Sequence, residues 1–209
     1  MIRGYIIFGL VIVTFLIGVL NYKYYKQTNL QFFMVFIGYT FVSEIVANVF
    51  ILLSISSILI YNIYSLAYTV ILILFYRKIV KNKIIKKSSI FLIVLFSLCV
   101  VLNSIFGQHI IYMYQNNTYI LGFLFVAILI MLFFVEILNS DKILSLGKLP
   151  IFWISIGLFI FNICLIPVMV IPRFIGWSGV YDYILLGVNV IMYGCFSYAF
   201  LLTKKEFGS

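Results

Sequence analysis

The chain has 209 residues, 66% hydrophobic, 19% aromatic and only 9% charged, and its 14 Lys and Arg against 5 Asp and Glu leave a net charge of +9. Soluble domains carry roughly a quarter charged residues, so this chain lacks the polar surface that a cytosolic enzyme or a secreted domain needs. Its basic residues are strewn between long apolar runs, which excludes an ordinary nucleic-acid-binding module and leaves an integral membrane protein.

A helix crossing the hydrocarbon core needs about 20 mostly apolar residues. Segments at about 4–21, 29–53, 56–76, 88–107, 118–138, 150–171 and 180–202 meet that length. The runs are continuous and about twice the length of a barrel strand, and helices satisfy their own backbone groups in lipid. The expected fold is all-α, a polytopic transmembrane seven-helix bundle forming a single domain over 1–209. No small-x-small cleavage site follows the first span, whose exit reads Val19-Leu20-Asn21-Tyr22-Lys23, so it is expected to be retained.

Basic residues in short loops favour the cytoplasmic side. Alternate connections hold Lys23 and Lys26, then Arg77, Lys78, Lys81, Lys83, Lys86 and Lys87, then Lys142 and Lys148, with Lys204 and Lys205 at the C-terminus; only Arg3 and Arg173 fall on the other side. This pattern predicts an outside N-terminus and a cytoplasmic C-terminus. The stretch from Arg77 to Lys87 is expected to lie against anionic lipid headgroups, each cation contributing about 1 kcal/mol near the surface. It also offers a docking face for a protein partner. No aromatic residue is interleaved in it at stacking spacing, which disfavours a nucleic-acid partner.

Polar side chains inside a membrane are costly and point to function. Thr40, Glu44 and Asn48 recur every four residues along the second span, and the third carries Tyr61, Asn62, Ser65 and Thr69. At about 1.5 Å rise per residue, Glu44, Asn62 and Asn103 fall at similar depth in the outer half, with Asn162, Asn189 and Tyr193 deeper. The fifth span has no strongly polar side chain between Thr118 and Val135 and the first only Thr14, so these two are expected to face lipid. The others would then contribute an outward-facing polar cluster, a candidate ligand site of Glu44, Asn48, Asn62, Asn103, Asn162, Asn189 and Tyr193 beneath rim charges Arg3, Arg173 and Asp182. Glu44 could pair with a rim arginine, remain protonated, or bind a cationic or hydrogen-bonding ligand. Equally, these residues could hold the helices together by hydrogen bonds, which average about 0.6 kcal/mol in membranes. Pro167 and Pro172 either kink or end the sixth span.

Chemistry for catalysis is sparse. Cys99, Cys164 and Cys195 lack C-x-x-C spacing, and the single histidine, His109, excludes a His-rich metal site or an H-E-x-x-H protease. No nucleophile elbow or P-loop is present, and Asn116-Asn117-Thr118 is a sequon of a kind frequent by chance. No catalytic residue, metal site or cofactor is expected.

Glu44, the run Tyr61-Asn62-Ile63-Tyr64-Ser65, the run Asn103-Ser104-Ile105-Phe106 and the opening of the sixth span, Leu149-Pro150-Ile151-Phe152-Trp153-Ile154-Ser155-Ile156-Gly157, are together similar to the small multi-spanning inner-membrane proteins found widely in Bacteroidota. The resemblance covers nearly the whole chain. It implies a helical fold of about seven spans in the bacterial inner membrane and carries no activity with it. Members often place a His and a Glu in the third span, where this chain has Asn62 and Tyr68.

The composition leaves a membrane binding or sensory protein that answers to a partner at its basic face, a small transporter or oligomeric channel, or an intramembrane lipid-modifying enzyme, for which one Glu and one peripheral Asp are thin equipment. The first fits the outward polar cluster best. The predicted topology is tested by thiol labelling: a cysteine placed within 77–87 should resist an impermeant reagent in sealed cells and react once the membrane is opened.

Overall fold

The computed structural model describes residues 2–176 and 178–207; the side chains of Arg3 and Lys142 lie outside the described residues. Among the described residues, seven helices are long and apolar enough to cross a membrane. They belong to α1 (Ile2–Tyr25), α2 (Leu30–Leu52), α3 (Ile58–Ile79), α4 (Lys83–Phe106), α5 (Asn116–Leu138), α6 (Pro150–Val170) and, after the four-residue α7 (Pro172–Ile175), α8 (Gly179–Phe207). A 3-10 segment, Asp141–Lys148, links α5 to α6. No strand occurs among the described residues.

Packing follows a ring. α1 touches α2, α2 touches α3, α3 touches α5, α5 touches α6, α6 touches α8, and α8 returns to α1. α4 lies against α3 and α5 from outside. The short links 26–29, 80–82 and 139–149 fall on one face with the C-terminal turn of α8, and the links 53–57 and 107–115 fall on the opposite face with 171–176.

This arrangement corrects the expectation that the fifth span faces lipid. Half of the most apolar stretch of α5 is buried, the largest share of any span, whereas α4 has the smallest at 17%. The interior of a membrane bundle is as apolar as its surroundings, so hydrophobicity on all sides marks a buried helix as readily as a lipid-facing one. α1 keeps most of its surface outward, with 22% of its most apolar stretch buried, although it pairs closely with α8 and carries Thr14 inward to the Ser197 hydroxyl at 3.0 Å.

Two further departures are local. α4 begins at Lys83, well before the expected position 88, because the Asn82 side chain accepts hydrogen bonds from the Ile84 and Ile85 N–H groups and caps the helix. The true link between α3 and α4 is therefore only 80–82, and the basic stretch is mostly helical. Glu136 of α5 fixes this link, its carboxylate accepting from the Lys81 N–H at 2.6 Å and the Asn82 N–H at 3.2 Å. Pro167 sits inside α6, while Pro172 opens α7, which ends at Gly176 with φ of +81°.

The half of the bundle nearer the basic face is filled by aromatic rings. Phe33 packs against Phe36, Phe75, Phe196 and Phe200 with centroids 4.9–6.2 Å apart, contacts that each contribute about 0.5–1.5 kcal/mol beyond burial. α6 and α8 approach most closely at Gly157, where a Cβ would stand 2.9 Å from the Cys195 Cβ and 3.1 Å from the Met192 carbonyl oxygen. Small residues permit such approach in membranes. Gly157→Ala should therefore destabilise the protein by about 1–3 kcal/mol. Gly194→Ala, where nothing lies within 4 Å, should stay within about 0.5 kcal/mol. Unfolding titrations of both variants in detergent check the contrast.

Candidate ligand-binding cavity

Three tyrosines on α3, Tyr61, Tyr64 and Tyr68, are spaced three and four residues apart and so share one helical face. That face looks into the ring. With Tyr114 and Tyr119 it lines a cavity of about 620 Å³, within the usual range for small-molecule sites. Phe123, Phe161, Leu165, Met169 and Leu185 complete its apolar walls, so α3, α5, α6, α8 and the 107–115 link all contribute. It opens in the half of the bundle away from the basic face.

The floor is the Tyr68 ring, set edge-on to Phe123 at 6.1 Å and tilted against Phe161 at 6.4 Å. Its hydroxyl reaches across the ring interior to α6, donating to the Asn162 Oδ1 at 3.2 Å, while the Asn162 Nδ2 donates to the hydroxyl at 3.0 Å and to the Leu158 carbonyl at 2.6 Å. Nearer the basic face the Tyr76 hydroxyl makes a parallel bridge, donating to the Ser155 Oγ at 2.9 Å.

Asn62 supports the rim. Its Nδ2 donates to the Ile110 and Met113 carbonyls at 2.6 and 2.9 Å, and its Oδ1 accepts from the Gln115 N–H at 3.1 Å and the Tyr119 hydroxyl at 2.6 Å. The whole amide is thus engaged in holding the 107–115 link and one lining phenol on α3. A second rim network joins Asn103 to Asn117 at 3.2 Å and Asn117 to the Arg173 Nη1 at 2.8 Å. It ties the end of α4, the start of α5 and α7 together.

The residues singled out from sequence therefore divide into separate stations rather than one cluster. Asn62 and Asn162 stand behind the cavity and position Tyr119 and Tyr68. Asn103 and Arg173 meet at the rim through Asn117, and Asp182 lies in the first turn of α8. Asn48 and Asn189 donate to carbonyls of their own helices, those of Glu44 and Leu185, each at 2.8 Å. Tyr193 is buried, and its backbone carbonyl lies 3.5 Å from the Thr14 hydroxyl. Glu44 is half-buried on α2, within electrostatic reach of the Tyr61, Tyr64 and Tyr193 phenols. Among the described residues its carboxylate forms no hydrogen bond or ion pair; of its expected partners, Arg173 bonds to Asn117 and the Arg3 side chain lies outside the described residues.

None of the seven residues expected to form the ligand site lines the cavity, whose tyrosines, Ser65, Asn116 and apolar walls were not among them. The spacing of Tyr61, Tyr64 and Tyr68 was the available signal for the tyrosines of α3. Among the described residues no group of His, Cys, Asp or Glu is arranged to hold a metal ion. The chain matches no protein-family model, no curated protein and no solved structure at a significant level, so the geometry of the cavity is what bears on function.

Replacing Asn62 by Leu strands the Ile110 and Met113 carbonyls and the Gln115 N–H, and an unsatisfied buried group costs about 1–3 kcal/mol. Asn62→Leu should therefore lower stability by about 3 kcal/mol and speed proteolysis within 107–115, whereas Asn48→Leu should cost less than about 1 kcal/mol. Thermal unfolding and limited proteolysis of the two variants read the difference.

Proposed function

We propose that this chain is a receptor-like, multi-pass protein of the bacterial inner membrane that binds a small organic molecule in the tyrosine-lined cavity. The observation that carries this reading is the cavity itself: about 620 Å³, lined by five tyrosines, five apolar side chains, Ser65 and Asn116, with the Glu44 carboxylate outside the lining but within electrostatic reach of Tyr61 and Tyr64. Such walls suit a ligand that is largely apolar or aromatic, because every phenol offers a π-face and a hydroxyl. The nearby carboxylate favours a cationic or strongly donating end, and cations over aromatic faces gain about 0.5–2 kcal/mol.

The excess of basic residues on the opposite face supports an exofacial cavity and a cytoplasmic C-terminus. In this reading the basic face presents the docking surface for a responding protein. The aromatic layer around Phe33 closes the bundle beneath the cavity, which supports a binding pocket over a through-path for ions or solutes.

The test is thermal stabilisation of the purified protein by aromatic amphiphiles, paired as organic ammonium compounds and their neutral analogues. The wild type should be stabilised. Leu165→Trp, which fills the cavity, should weaken binding by about tenfold or more. Glu44→Gln should remove the preference for the ammonium member, a change of roughly threefold to tenfold. Stabilisation of equal size in the wild type and Leu165→Trp would place the ligand elsewhere and overturn the proposal.

A further inference from the structure

A second concave site lies at the opposite end of α3. Phe32 of α2, Leu74, Arg77 and Lys78 of α3, and Lys86 of α4 enclose a groove of about 350 Å³. Three of its five lining residues are cations and none is acidic. The cations are held in place. The Arg77 Nε donates to the Lys86 carbonyl at 3.3 Å, and the Lys78 Nζ sits 4.6 Å above the centre of the Phe32 ring. Neither interaction neutralises charge. The guanidinium keeps its remaining N–H donors and the ammonium over Phe32 keeps its own. The first free N–H groups of α4 are already taken by the Asn82 side chain, so the groove acts through side chains.

The two apolar residues decide what kind of anion fits. Leu74 is one turn deeper than Arg77, about 4.5 Å along the helix, and is partly exposed on the outer surface of the bundle. Phe32 forms the facing wall. A free inorganic anion has no use for that wall. A phospholipid does: its phosphate lies level with the cations while the glycerol and the start of an acyl chain run down past Phe32 and Leu74. We infer that the groove formed by Phe32, Leu74, Arg77, Lys78 and Lys86 is a binding site for the headgroup of an anionic phospholipid. This site is independent of the cavity lined by Tyr61, Tyr64 and Tyr68.

The site differs from a general attraction of basic loops to a charged membrane, because it names three cations and a depth. Lys81, Lys83 and Lys87, on the same link and helix start, do not line the groove. Neither do Lys204 and Lys205 at the end of α8.

The test uses the whole protein, purified in neutral detergent and titrated with phosphatidylglycerol, phosphatidylcholine or inorganic phosphate, with bound lipid counted by native mass spectrometry. Phosphatidylglycerol should be retained at a defined stoichiometry and phosphatidylcholine should not. Arg77→Gln with Lys86→Gln should weaken binding by roughly fivefold for each cation removed, as a surface cation is worth about 1 kcal/mol. Lys204→Gln with Lys205→Gln, which removes the same charge, should leave it unchanged. Leu74→Trp keeps every charge and fills the groove, so it too should release the lipid. Equal weakening in the tail variant would mean diffuse charge attraction and overturn the site. Displacement by inorganic phosphate, with Leu74→Trp behaving as wild type, would make the occupant a soluble anion and overturn the lipid assignment.

Discussion

In hydrocarbon a polar group either finds a partner inside the protein or remains unsatisfied at a cost of several kcal/mol. The packing of this bundle depends on that constraint. Thr14 meets Ser197 between α1 and α8, Thr40 meets Tyr64 between α2 and α3, and Tyr68 and Tyr76 meet Asn162 and Ser155 across the interior. Each such bond is individually modest, yet each fixes a relative height and rotation, since displacement of either helix strands two groups at once. α3 supplies a partner to α2, to α6 and, through Asn62, to the 107–115 link. Among the described residues no buried side-chain nitrogen or oxygen lacks a hydrogen-bond partner, and Glu44, whose carboxylate makes no hydrogen bond within that set, is only half-buried on α2.

The helices were legible because continuous apolar runs have one structural solution in lipid. Their ends were less so. Asn82 as a cap moved the start of α4 outward through Lys83, Lys86 and Lys87, and charged residues at a helix start look like a loop when only hydropathy is followed. The placing of α5 failed for a deeper reason. Counting polar residues to find the lipid-facing helices assumes a polar interior, and here most of the interior is Phe, Leu, Ile and Val.

The cavity was half legible for the same reason. Asn62 and Asn162 were found by depth, and both do stand beside the site, but as supports of Tyr119 and Tyr68 rather than as its walls. Five of the cavity's twelve lining residues are tyrosine, a residue that hydropathy counts with the apolar ones and that brings its hydroxyl to the site unannounced. In the sequence, Tyr61, Tyr64 and Tyr68 share a helical face. Tyr114 and Tyr119 join them only because Asn62 draws the 107–115 link inward, a tertiary event no spacing encodes.

The two ends of the bundle differ in kind, and the layer between them explains why. Nearer the basic face, Phe33, Phe75, Phe196 and Phe200 come from three helices and fill the interior with rings in contact. Toward the other end the same ring of helices is lined by phenols tethered at their hydroxyls: Tyr119 to Asn62, Tyr64 to Thr40 and, across the interior at the floor, Tyr68 to Asn162. Tethering a ring at its hydroxyl keeps it from collapsing into the space it borders, so the hydrogen bonds that pin these tyrosines are also what hold the cavity open. Coupling between the cavity and the basic groove would require the intervening layer to adopt a second arrangement. Close-packed rings shift as discrete steps rather than by smooth deformation, and any such step must also break the Tyr76–Ser155 bridge that crosses the layer.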